Sequence, residues 1–77
     1  MRITLKIFGS LTDIMGSDQF TVIDMKDTDQ LVRHLKELHP ELDKMKFTVA
    51  VDKKIIGENT PLSANSIVAI LPPFSGG

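Results

Sequence analysis

Cysteine is absent from this 77-residue chain. That absence removes a disulfide framework, a thiolate metal site and a cysteine nucleophile together. Small secreted domains of this length usually need such staples, so a reducing, cytoplasmic setting is expected. Long apolar runs are missing too: nothing approaches the roughly 20 residues of a membrane-spanning helix. Met1-Arg2-Ile3-Thr4 moves straight into strand-like alternation, without the apolar core of a signal peptide. Neither sign of charge dominates. Nine Lys/Arg against ten Asp/Glu leave a formal net charge of −1, which gives no electrostatic footprint for nucleic acid. A chain this short has room for one small domain, residues 1–77, with a modest core.

The distribution of charge says more than its sum. After Glu58 no charged side chain occurs, and Asn59–Gly77 contains Ile67, Val68, Ile70, Leu71 and Phe74. Part of this fits a central strand that is apolar on both faces. Pro72-Pro73-Phe74-Ser75-Gly76-Gly77 does not fit that account, because chain ends are usually frayed and polar. A partner groove would explain it.

Period-two alternation puts Ile3, Leu5 and Ile7 on one face of a first strand, with Phe8 on the opposite phase before Gly9. Ser10 to Gly16 reads as a short helical turn closed by glycine. Phe20-Thr21-Val22 resumes the alternation as a second, antiparallel strand. The main helix follows, with Asp27 or Thr28 as N-cap and Gln30 completing a capping box. Leu31, Leu35, Leu38 and Leu42 follow helical spacing, while Arg33, His34, Lys36 and Glu37 lie on the wet side. Asp29 in the first turn complements the helix dipole and can pair with Arg33. Pro40 disfavours helical geometry at His39, so the helix is expected to end there.

Phe47-Thr48-Val49-Ala50-Val51 is a third strand, ending in the polar turn Asp52-Lys53-Lys54. Ile55-Ile56 is either a short extension or a return strand. Pro61 to Ser66 carries turn chemistry, with Asn65 suited to a left-handed conformation. Ile67–Leu71 is the last strand, and Pro72-Pro73 ends it because neither proline can donate to a ladder. The order strand, strand, helix, strand, strand predicts an α+β fold. Its simplest packing is a mixed sheet with one main helix across it, as in a ubiquitin-like β-grasp.

The interior offers no active site. His34 and His39 are five residues apart and do not share a helical face, and Asp13, Asp18 and Asp24 are scattered. The four methionines read as gap-fillers in the core. Gly76-Gly77 is not a phosphate loop, since no helix follows it. No metal site is expected. Attention therefore falls on the tail, where two readings stand. It is a frayed end that happens to hold two glycines, or it is a threadable carboxyl terminus. Glycine lacks a Cβ and can pass a narrow cleft, the prolines stiffen the approach, and six extended residues reach roughly 20 Å.

The ending Val68-Ala69-Ile70-Leu71-Pro72-Pro73-Phe74-Ser75-Gly76-Gly77 resembles that of the MoaD-type sulfur carriers, the small subunits of molybdopterin synthase. Phe8-Gly9-Ser10-Leu11 followed by Gly16, the Leu-rich helix and Pro61-Leu62 resemble the same family, so the likeness covers the whole chain. Two positions depart from the pattern. Asn65-Ser66 stand where the family usually has Gly-Asp, and Thr12-Asp13 where a basic-acidic pair is common.

The resemblance implies a β-grasp sulfur-carrier domain with a flexible tail, residues 72–77. In that scheme Gly77 is adenylated and then converted to a thiocarboxylate, and it donates sulfur to cyclic pyranopterin monophosphate in molybdenum cofactor biosynthesis. It also implies no bound cofactor, with ATP used by the activating enzyme in trans. The implied partners are the large synthase subunit, in a heterotetramer, a ubiquitin-activating-like adenylyltransferase and a sulfurtransferase. Gly76 and Ser75 would fit the partner's channel, Pro73 would also meet the partner, and Phe8, Leu71 and Ile55 would join Phe74 in an apolar docking patch. Catalytic groups would belong to the large subunit, which makes this chain a sulfur donor rather than an enzyme in itself. Two alternatives share the activation chemistry: a carrier for another pathway such as thiamine thiazole, against which the Pro-Pro-x-Ser-Gly-Gly ending argues, and a ubiquitin-like protein modifier.

Overall fold

The structure is a computed structural model that describes residues 2–72. Five strands form one sheet: β1 (Arg2–Ile7), β2 (Gln19–Ile23), β3 (Thr48–Val51), β4 (Lys54–Ile56) and β5 (Ile67–Leu71). Their spatial order is β2-β1-β5-β3-β4. β1 and β5 are parallel at the centre and the other pairings are antiparallel. Helix α1 (Leu11–Met15) lies between β1 and β2, and α2 (Thr28–Leu38) carries the chain from β2 across to β3. This is the mixed sheet with one main helix that the alternation predicts.

The core lies between α2 and one sheet face. Ile3, Leu5 and Ile7 of β1, Val68 and Ile70 of β5, and Leu31 and Leu35 of α2 are all buried there. Period two in the strands and 3.6 in the helix bring these residues to a single interface. Met15 is buried, and Met25 and Met45 pack against the core half-buried, as gap-fillers should.

Helix α2 is held at its start by its own sequence and by a distant loop. Asp27 Oδ1 accepts from Gln30 N–H at 2.9 Å, and Gln30 Oε1 accepts from Lys26 N–H at 2.8 Å. The box therefore closes one residue earlier than the usual reciprocal pattern, which returns to the N-cap amide. Asn59 Oδ1 takes the Asp29 N–H at 2.9 Å. Buried Thr28 exchanges bonds with Thr60: its N–H donates to the Thr60 carbonyl at 2.9 Å, and its Oγ1 accepts the Thr60 N–H at 2.9 Å.

Three helix expectations need correction. Leu38 is 60% exposed rather than buried, because it ends α2 beside the edge strand β2. Leu42 is buried but belongs to a separate 3-10 turn, Pro40–Lys44, restarted by the proline after α2 stops at Leu38. Among the described residues the ion pair on this side joins Lys36 to Asp43 at 3.5 Å, rather than Arg33 to Asp29. The third strand begins at Thr48, one residue later than its alternation suggests, and Ile55-Ile56 belongs to a return strand.

The turns follow their residues. Asp52 and Lys53 both have positive φ, 48° and 74°, in the two-residue loop joining β3 to β4, as a type I′ hairpin requires. Asp52 also accepts the Ile67 N–H through Oδ1 at 2.9 Å, tying this hairpin to β5. Asn65 takes the left-handed conformation, φ 69°, and buried Ser66 accepts the Ser63 N–H through Oγ at 3.0 Å.

Candidate functional site: the uncovered sheet face and the root of the tail

Strand pairing decides which side chains share the face opposite α2. Lys6 pairs with Ala69, Ala69 with Ala50, and Ala50 with Ile55, so these four form one row. Leu71 lies two residues beyond Ala69, opposite Thr48, and Ile67 two residues before it. Phe8 extends the phase of Lys6, and its N–H donates to the Ile70 carbonyl at 3.1 Å.

No element among the described residues covers this face. Phe8 is 44% exposed, Ile67 42% and Ile55 61%, while Leu71 is half-buried. Lys6, Phe8, Asp52, Lys53, Ile67 and Ala69 line a shallow depression of about 360 Å³. Ile55 stands two strands from Ala69, about 10 Å by strand spacing. The short side chains of Ala69 and buried Ala50 lie between them in the same row.

The structure thus brings Phe8, Leu71 and Ile55 onto one surface. β5 is central in its hydrogen bonding yet apolar on a face that nothing described covers, so burial between two layers does not explain its composition. Ile67 belongs to the same surface and was not among the candidates read from the sequence. Its signal was the spacing Ile67, Ala69, Leu71, which repeats every second residue on the phase opposite to buried Val68 and Ile70. Pro73, Phe74, Ser75, Gly76 and Gly77 lie outside the described residues.

The root of the tail is built by the loop after β1. Gly9 has φ +62°, and a Cβ placed on it would come within 2.8 Å of Pro72 Cγ. The Gly9 carbonyl accepts from Thr12 N–H at 3.1 Å and from Thr12 Oγ1 at 2.8 Å. Pro72 therefore leaves the sheet against a backbone surface, next to Phe8.

Other features give no comparable site. His34 and His39 are half-buried beside a small hollow near β2. Among the described residues no group of three or more His, Asp or Glu side chains could hold a metal ion, and no helix is long and apolar enough to cross a membrane. A groove between α2 and β3–β4 mixes Arg33 and Lys36 with Asp29 and Glu58, so its charge selects no one ligand.

Known structures share this fold. The structure of SAMP1 from Haloferax volcanii matches with a TM-score of 0.80 at 21% identity, over 100% of both chains. A putative molybdopterin converting factor, subunit 1, from Pyrococcus furiosus matches with a TM-score of 0.82 at 16% identity, over 96% of this chain and 99% of that one. A chain in the complex of subunits 1 and 2 of molybdopterin-converting factor from Helicobacter pylori matches with a TM-score of 0.75 at 26% identity, over 100% of both chains. The fold is the ubiquitin-like β-grasp. The model of the ThiS family matches residues 5–77, nearly the whole sequence and both terminal glycines, and the chain belongs to that family.

Proposed function

We propose that this chain is the sulfur-carrying small subunit of a molybdopterin synthase. The observation that carries the reading is the family match running through Gly76-Gly77. The exposed apolar side chains Phe8 and Ile67 on the sheet face beside Pro72 support it, as does the likeness to a chain in the complex of subunits 1 and 2 of a molybdopterin-converting factor.

A carboxylate is a poor electrophile, so the first step activates it. The Gly77 carboxylate attacks the α-phosphorus of ATP on a ubiquitin-activating-like adenylyltransferase, and pyrophosphate leaves. The terminal sulfur of a sulfurtransferase persulfide attacks the acyl-adenylate and AMP leaves; a thiol then cleaves the resulting acyl disulfide, taking the sulfurtransferase sulfur into a disulfide and leaving the thiocarboxylate. Phe8, Ile67, Leu71, Ile55 and Phe74 then dock on the large subunit, and Pro73, Ser75 and Gly76 lead Gly77 into its active site. Sulfur passes there to cyclic pyranopterin monophosphate, and hydrolysis restores the carboxylate. ATP is used only in trans, and the carrier contributes sulfur and position.

Deleting Gly77, or adding a residue after it, tests this reading. Sulfur transfer to the pterin precursor is expected to vanish while thermal unfolding stays unchanged. A truncated chain that still restores cofactor synthesis would sink the proposal.

A further inference from the structure

Two glycines with positive φ sit in neighbouring loops, and they differ in one respect. A Cβ on Gly16, φ +83°, meets nothing within 4 Å, whereas a Cβ on Gly9 meets Pro72 Cγ at 2.8 Å and Cδ at 3.3 Å. Gly16 answers only to backbone conformation; it closes α1 as the left-handed C-cap. Gly9 answers to conformation and to a contact at the point where the chain leaves the sheet.

The contact is rigid on both sides. The Gly9 peptide is pinned by the two bonds from Thr12, and Phe8 N–H on Ile70 registers the loop to β5 two residues before Pro72. Pro72 has no N–H to offer a ladder and its own φ is fixed. Its ring, seated in the notch that the missing Cβ leaves, takes over where strand hydrogen bonds stop.

We propose that Gly9 is a positioning residue for the terminal carboxylate: its notch seats the Pro72 ring and so sets the direction of the chain at Pro72, the root of the tail. The inference deepens the sulfur-carrier reading and rests on it for its consequence in activity. Geometry gives the lever. Five residues can reach at most about 17 Å beyond Pro72, so a tilt of about 20° at Pro72 shifts the far end of that reach by up to about 6 Å. Binding would then select the fraction of chains still correctly aimed, which raises the apparent KM of the carrier and leaves chemistry in the bound state alone.

The test compares Gly9→Ala, Pro72→Ala and Gly16→Ala, with the folded fraction of each measured by circular dichroism. Because the chain has no cysteine, a nitroxide on Ser75→Cys reports where the tail points, through the backbone amides that it broadens. Broadening is read only on folded resonances, so loss of stability alone does not move it. Gly9→Ala is expected to change the set of broadened amides. In unlabelled protein it should raise KM about 3- to 10-fold at unchanged kcat in ATP–pyrophosphate exchange with the adenylyltransferase. Pro72→Ala removes Cγ and Cδ without straining Gly9, and is expected to do the same. Gly16→Ala carries similar backbone strain and is expected to do neither.

Wild-type broadening and KM in both Gly9→Ala and Pro72→Ala would overturn the inference, and Pro72→Ala decides alone if Gly9→Ala does not fold. If the wild-type chain supports no exchange at all, the sulfur-carrier reading fails instead. The nitroxide pattern then still decides whether Gly9 aims the tail.

Discussion

Phe8→Ala separates the surface that docks from the surface that folds. Phe8 keeps 44% of its surface exposed. A phenylalanine offers about 150–250 Å² to bury, so about 65–110 Å² remains for a partner to cover. At about 25 cal/mol per Å² this amounts to about 1.6–2.8 kcal/mol of docking energy, or about a 15- to 100-fold loss in affinity. Leu5, three residues earlier on the core face of β1, is buried. Its truncation costs stability of about 2–5 kcal/mol, a large part of the roughly 4–12 kcal/mol available to a chain of this length. Calorimetric titration of each folded variant against the large synthase subunit, with thermal unfolding alongside, gives both numbers. Phe8→Ala is expected to lose affinity and keep its fold, and Leu5→Ala to lose stability and keep its affinity per folded molecule. Folded Phe8→Ala binding within about twofold of wild type would refute the assignment of this face to docking.

Two further predictions concern α2. Leu31→Ala removes a fully buried side chain and is expected to cost about 2–5 kcal/mol in urea unfolding, whereas Leu38→Ala, on an exposed residue of the same helix, is expected to stay within about 0.5 kcal/mol. Equal losses would mean that Leu38 is buried after all. Asn59→Ala removes the acceptor for the Asp29 N–H; a lost cap costs about 1 kcal/mol, which differential scanning calorimetry should register as a fall in Tm of about 4–8 °C. An unchanged Tm would show that Asp27 suffices.

Local rules were legible and contacts between distant segments were not. Alternation placed Ile3, Leu5 and Ile7 correctly because period two leaves one solution once a single face is buried. Asp27, Gln30 and Pro40 marked both ends of α2 because capping and proline sterics act within a few residues. Leu38 was misassigned because helical spacing reports which face a residue is on, not how far the sheet beneath extends. Asn59 at the start of α2 and Pro72 in the Gly9 notch join segments far apart in sequence, so no window of residues announces them. At the site, the phase of Phe8 is visible in the sequence, whereas Ile67 is hidden among the other apolar residues of a strand that is central in the sheet. The tail chemistry was read from Gly76-Gly77 and a resemblance; the family match supports it as far as membership of the ThiS family.

The central claim is that Gly77 carries sulfur, and intact mass spectrometry of the chain isolated from its host tests it most directly. The account predicts a population heavier by the exchange of one oxygen for sulfur, with fragmentation placing the increment on Gly77 and brief hydrolysis returning the carboxylate mass. A terminus found only in amide linkage to lysines of other proteins would contradict it and make the chain a modifier instead.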